Sequence, residues 1–231
     1  MKLAQFSLIS TILFSSFASA HNIWLESISG NQYAIKFGHE TTEPYPLSKL
    51  THVQQIDAQG KRSDLSPYFQ KTAGEKGEAS VQIANGDMVF LEFNNGVWSK
   101  LPSGKYVEKT KKEAPTAEFS INPMKLGKAI LNWGEQAFKP HDQAYELVPL
   151  AKPEAGKPMQ ILVLHHGKPV EGIKVGLGED QPFNLSNAQG IATFTPTQGF
   201  NKVWAEFEEK VAGNPDYSDR SYEYMLTFDV P

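Results

Sequence analysis

Histidine is the residue type in this chain best suited to holding a metal or moving a proton, and six are present: His21, His39, His52, His141, His165 and His166. Cysteine is absent, so any metal site must use nitrogen and oxygen donors. His21 stands apart by its position. It follows directly on Ala18-Ser19-Ala20, the small-x-small pattern that a signal peptidase cuts. Cleavage there would make His21 the first residue and give it two nitrogen donors, an imidazole and a free α-amine.

Strand alternation links His21 to His39. In HNIWLESISG, His21, Ile23 and Leu25 share one strand face; in QYAIKFGH, Tyr33, Ile35, Phe37 and His39 share one as well. A hairpin turning at Ser29-Gly30-Asn31, with Asn31 left-handed, pairs Ile23 with Phe37, Leu25 with Ile35 and His21 with His39. Directly opposed Cβ atoms lie about 4.5–5.5 Å apart, close enough for two imidazoles and the amine to converge on one ion. Such a three-nitrogen set, a histidine brace, suits Cu(II) or Ni(II). The residues thus point to His21 and His39 as metal ligands, with Glu40, His52 and His141 as weaker candidates. Glu40, Glu43 and Asp142 are the nearest carboxylates in sequence that could complete the shell. The competing reading is that both histidines merely cap the sheet edge. His165 and His166 open HHGKP and read as turn residues.

Other chemistries lack their signatures. The chain has no Gly-x-Ser-x-Gly elbow and no phosphate-binding Gly-x-x-x-x-Gly-Lys loop. HETTE (39–43) departs from the zinc-protease helix at its last position and is followed by Pro44. A formal net charge of −4 argues against nucleic acid as a partner. The one locally basic stretch, KYVEKTKK (105–112), reads as a solvated loop face.

The elements that must position these residues are mostly strands. Residues 1–20 carry Lys2, then an apolar run interrupted by serine, and read as a signal peptide too short to span a membrane. The remainder is expected to be exported and periplasmic, with no membrane span. IWLESI, QYAIKFG, HVQQID, ASVQIA, DMVFLEF and AEFSI alternate with period two between Gly, Asn, Asp and Pro punctuation. NPMKLGKAILNWGEQAF, with a proline start and loosely helical spacing, predicts one short helix. YELVPLAKPEAGKP (145–158), rich in proline, predicts a linker. Beyond it, regularly spaced turns separate MQILVL, GIKVGL, IATFTP, KVWAEF and YEYMLTFDV, as in a small β-sandwich. The expectation is an all-β chain of two sandwich-like domains, 21–144 and 159–231.

AHNIWLE, KFGHETTEPYP, GVWSKLPSGKYVEKTKKEAP, YELVPL, GKPMQILVLHHGKPVEGIKV, NAQGIATFTP and YEYMLTFDV, taken in order, resemble an exported bacterial family of unknown-function domains. Its members are often labelled periplasmic components of nickel or cobalt uptake systems. The resemblance implies a periplasmic, all-β, metal-associated protein, with the family's first histidine at His21 and its Gly-His segment at His39. It also implies a second half of the transthyretin or carboxypeptidase-regulatory type. The function expected is capture or delivery of a divalent transition metal, nickel or cobalt by resemblance and copper by donor chemistry, to an uptake transporter in the membrane, without catalysis. Two other readings stand beside it: a structural or adhesive β-sandwich without metal, and a copper histidine-brace oxidoreductase acting on polysaccharide. The last needs an exposed aromatic surface near the motif, for which Trp24 and Tyr45 are the nearest residues.

Overall fold

The computed structural model describes residues 21–39, 41–73 and 75–230. The expected signal peptide (1–20) and Glu40 lie outside the described residues. The chain is all-β. Its first half forms β1 (Asn22–Ser29), β2 (Gln32–Gly38), β3 (Leu50–Ile56), β4 (Arg62–Asp64), β5 (Tyr68–Ala73), β6 (Lys76–Gln82), β7 (Met88–Asn94), β8 (Trp98–Lys100), β9 (Tyr106–Glu108) and β10 (Phe119–Ile130). The second half adds β11 (Tyr145–Pro149), β12 (Met159–His165), β13 (Lys168–Pro169), β14 (Lys174–Gly176), β15 (Phe183–Leu185), β16 (Ile191–Phe194), β17 (Gly199–Lys210) and β18 (Asp219–Val230). Among the described residues no helix is long and apolar enough to cross a membrane.

Three sheets result. A four-stranded sheet runs β1-β2-β6-β5, and a ten-stranded sheet follows the path β15-β14-β17-β18-β10-β7-β3-β4, with β8 attached to β10 and β9 to β8. The third consists of β11, β12, β13 and β16. Alternation along β10 explains the layering. Ile130 joins Met88, Phe90, Leu147, Ile161 and Leu226 in one core. Ala129, one residue earlier and so on the opposite face, joins Ile23, Ile35, Val81 and Leu91 in another. The large sheet is therefore covered by the four-stranded sheet on one face and by the β11–β12 sheet on the other. Gly127 permits the first contact, since a Cβ there would lie 3.0 Å from the Ile23 carbonyl oxygen of β1 and 3.1 Å from Leu91.

Two expectations need correction. The helix predicted within 122–138 is instead the second half of β10 followed by a single 3-10 turn, Glu135–Phe138. The helical spacing misled because β10 is central and covered on both faces, so it does not alternate simply between apolar and polar. Its lysines are buried in ion pairs: Lys125 with Glu223 at 2.7 Å and Lys128 with Glu146 at 2.8 Å. Pro123 is tolerated where the antiparallel partner changes from β8 to β7. The linker predicted at 145–158 begins with β11, whose five residues are all buried. Pro149 fits there because β11 pairs only with β12 and forms a sheet edge. The ten-stranded sheet draws strands from both sides of that stretch, joined by the parallel pairing of β10 with β18.

The face of the large sheet toward β1 carries an unusual acid. Glu206 on β17 lies directly opposite Glu223 on β18. Burial, then the charges of Glu223, Glu179 and Glu208, push its carboxyl up to about 7, against a weaker pull from Lys174. A carboxyl that holds its proton more tightly when folded contributes stability below the unfolded pKa, and that contribution is lost as pH rises toward about 7. Glu206→Gln removes the titration. Thermal melts should show the variant gaining stability over the parent at pH 8 by up to about 3 kcal/mol, with the gain shrinking as pH falls and vanishing below about pH 4.

Candidate metal centre

The β1–β2 ladder has the register expected from alternation: Ile23 faces Phe37 and Leu25 faces Ile35. Its loop differs in detail. A bulge lies between Ser27 and Ser29, and Gly30, not Asn31, takes the left-handed conformation with φ +56°.

At the other end, the ladder stops at Asn22–Gly38. Gly38 has φ +147°, and a Cβ there would meet the Thr41 carbonyl oxygen at 2.1 Å, so only glycine makes this turn. The His39 N–H donates to Thr41 O at 3.2 Å, and the chain doubles back until the Glu43 N–H donates to Phe37 O at 2.8 Å. The turn carries His39 out of the strand and leaves it exposed. It sets Glu43 beside Phe37 instead.

The residue that reaches His21 is therefore Glu43. The His21 Nε2–H donates to Glu43 Oε1 at 2.9 Å, and the imidazole stacks on Phe37 with centroids 5.1 Å apart and planes at 19°. Behind them Phe37 stacks on Phe93 at 4.7 Å, with Tyr45 edge-on to Phe93 at 5.6 Å. The Tyr45 hydroxyl donates to Ile35 O at 2.6 Å and accepts from the Ala79 N–H at 3.3 Å. Burial pushes the Tyr45 phenol well above its usual range, so it stays neutral.

His21 and Glu43 form one side of a cleft of about 390 Å³. Lys49, Lys76, Phe93, Asn95, Trp98, Tyr106 and Glu108 line the rest. The far wall is the β8–β9 hairpin. It is tied to the segment before β3 by Lys49, which donates to Glu108 Oε1 at 2.6 Å and to Asn95 O at 3.0 Å. The Trp98 indole N–H also donates to Asn95 O at 3.0 Å. This wall falls partly on the stretch 105–112 that reads in sequence as a solvated face. The only local clue was Tyr106 and Trp98 flanking a turn; their approach to His21 is a long-range contact.

The other candidates lie elsewhere. His52 is half-buried on β3 opposite Glu92, next to a bulge in the ladder. His141 is structural: its Nε2 bonds Gln136 O at 2.9 Å, and its main-chain N–H donates to Glu146 Oε2 at 2.7 Å. Burial pushes the His141 ring below the usual imidazole range, keeping it neutral. Asp142 follows it with φ +54°. Of the described carboxylates named as shell candidates, Glu43 and Asp142, it is Glu43 that bonds His21; Glu40 lies outside the described residues. Among the described residues, no three His, Cys, Asp or Glu side chains converge as a metal-holding group.

The features assembled so far define an all-β protein with a polar and aromatic cleft at the edge of its small sheet, bordered by His21. The family described as "Domain of unknown function (DUF4198)" matches residues 18–209, and the chain belongs to it. A protein of Haemophilus influenzae described as "Uncharacterized protein" is 60% identical over 223 residues, covering 96% of each chain. No solved structure matches the chain.

Proposed function

We propose that this protein is exported, cut before His21, and binds a divalent transition metal through the new N-terminal residue as cargo for a membrane uptake system. One observation carries the reading: the 2.9 Å bond between His21 Nε2 and Glu43 Oε1 at the mouth of the cleft. A carboxylate oxygen accepts, so Nε2 donates in this bond and Nδ1 is the ring nitrogen left to meet a metal. A carboxylate that fixes the tautomer and orientation of a ligating histidine is a recurring support for metal sites. On an N-terminal histidine, Nδ1 and the α-amine close a six-membered ring around a metal. The stack on Phe37 limits how far the imidazole can swing. The site so formed uses His21 with Glu43 behind it and does not require His39.

Cu(II) and Ni(II) suit a nitrogen chelate of this kind, and copper binds such donors most tightly in vitro. The resemblance to proteins labelled for nickel or cobalt uptake favours those ions as cargo. Polysaccharide oxidation is less well supported. Trp24 is 3% exposed and lies beneath the Lys202 ammonium, 3.6 Å from its ring centroid, and Tyr45 is 2% exposed. Neither can grip a polymer.

Calorimetric titration of the chain beginning at His21 tests the proposal. Nickel or copper should bind one to one, with proton release, and affinity should fall steadily from about pH 8 to pH 5 as protons compete for amine and imidazole. Glu43→Gln should weaken binding about 10–100-fold. An affinity that does not change with pH would remove nitrogen ligation from the account.

A further inference from the structure

We propose that the cleft beside His21 takes its metal together with a small carboxylate-bearing chelator, so that the recognised cargo is a metal complex and not a bare ion. The inference rests on His21 being the metal ligand, and it names what the rest of the cleft is for.

Donors near His21 are few among the described residues. His21 offers two nitrogens, and Glu43 is engaged with Nε2. His39 is turned out of the ladder, and no three-residue donor group exists among the described residues. Tetragonal and octahedral ions take four to six donors. Among the described residues nothing else converges on His21, so two to four positions are open to donors of a bound molecule.

The cleft is also larger than an ion needs. A cleft of about 390 Å³ corresponds to roughly a dozen waters at ~30 Å³ each. Two to four coordinated waters would leave most of it open, whereas a di- or tricarboxylate of small-molecule size would occupy it.

Its lining suits an anionic molecule as well. Lys49 is already engaged by Glu108 and Asn95. Lys76 is exposed at the cleft and forms no ion pair among the described residues. An unpaired ammonium there complements a carboxylate that the metal leaves uncoordinated. Trp98 and Tyr106 line the same cleft and supply apolar surface for the carbon skeleton of such a molecule. A site for a bare ion needs neither feature.

Native mass spectrometry and calorimetry on the chain beginning at His21 test this, using Ni(II) alone, citrate alone, and Ni(II) with one equivalent of citrate or oxalate. The expected species is protein plus nickel plus chelator, bound more tightly than nickel alone. Lys76→Met, a surface change, should weaken binding of nickel–citrate about tenfold more than binding of Ni(II). If nickel binds but only the binary complex ever forms, or Lys76→Met affects both forms equally, the chelator proposal falls and the metal site stands. If nickel binds in neither form, both fall. Binding of citrate without metal would overturn the proposal in favour of a simple anion site.

Discussion

Replacing Lys128 by methionine will destabilise the protein by about 3–5 kcal/mol, the usual cost of stranding one member of a buried ion pair. Lys128 is fully buried on β10, where its ammonium donates to Glu146 Oε1 at 2.8 Å and to Leu147 O at 3.0 Å beneath the Phe90 ring. Burial pushes the ammonium below its usual range, and Glu146 pulls it back. Removing it leaves the Glu146 carboxyl, 1% exposed, without its ammonium partner, while the His141 N–H still donates to its other oxygen. That carboxylate also anchors the segment leading into β11, so the damage falls where the third sheet meets the large one. At roughly 2–4 °C per kcal/mol for a chain of this size, melting should drop by about 6–20 °C. Lys139→Met, which breaks an exposed pair with Glu135, should leave the melting temperature nearly unchanged, because solvent screens such a pair. The double change Lys128→Met with Glu146→Gln should recover part of the loss, because no charge is then stranded. A single variant that melts within about 2 °C of the parent would show that the buried pair is not what holds these sheets together.

Leaving one extra residue in front of His21 should cost about 100-fold or more in affinity for Ni(II) or Cu(II). The extension converts the α-amine to an amide, whose nitrogen has no ready lone pair, and breaks the chelate ring. Loss of a carboxylate that only orients a ligating histidine costs about 10–100-fold; loss of a donor from a two-donor chelate should exceed that. The extended chain keeps the Glu43 bond, the Phe37 stack and the cleft, so the comparison isolates the amine. Equal affinities from parallel titrations would rule it out as a ligand.

The two expectations about His21 met different physics. The pairing of Ile23 with Phe37 was legible because a one-residue slip would turn a whole apolar face into solvent. His39 was misplaced because the ladder ends one residue earlier, at a glycine whose φ no other residue adopts easily. Alternation sees side-chain faces; it does not see where a strand stops. Glu43 could be named as a nearby carboxylate, yet its contact depends on a return of the chain to Phe37 that carries no hydrophobic signal. Lys125 and Lys128 misled for a related reason. Charged residues normally mark solvent, and their partners Glu223 and Glu146 lie 98 and 18 residues away. The β8–β9 wall of the cleft was invisible in the same way, since Lys49 and Glu108 are 59 residues apart. Local pattern identified the strands; long-range pairs built the site.

The most direct test of the account is to purify the protein from its native host at ordinary metal levels, sequence its N-terminus and measure its metal content. The account predicts His21 as the first residue and close to one divalent transition metal per chain, lost when the amine is blocked. A chain that begins elsewhere, or that begins at His21 and carries no metal when saturated with nickel, cobalt or copper, would contradict it.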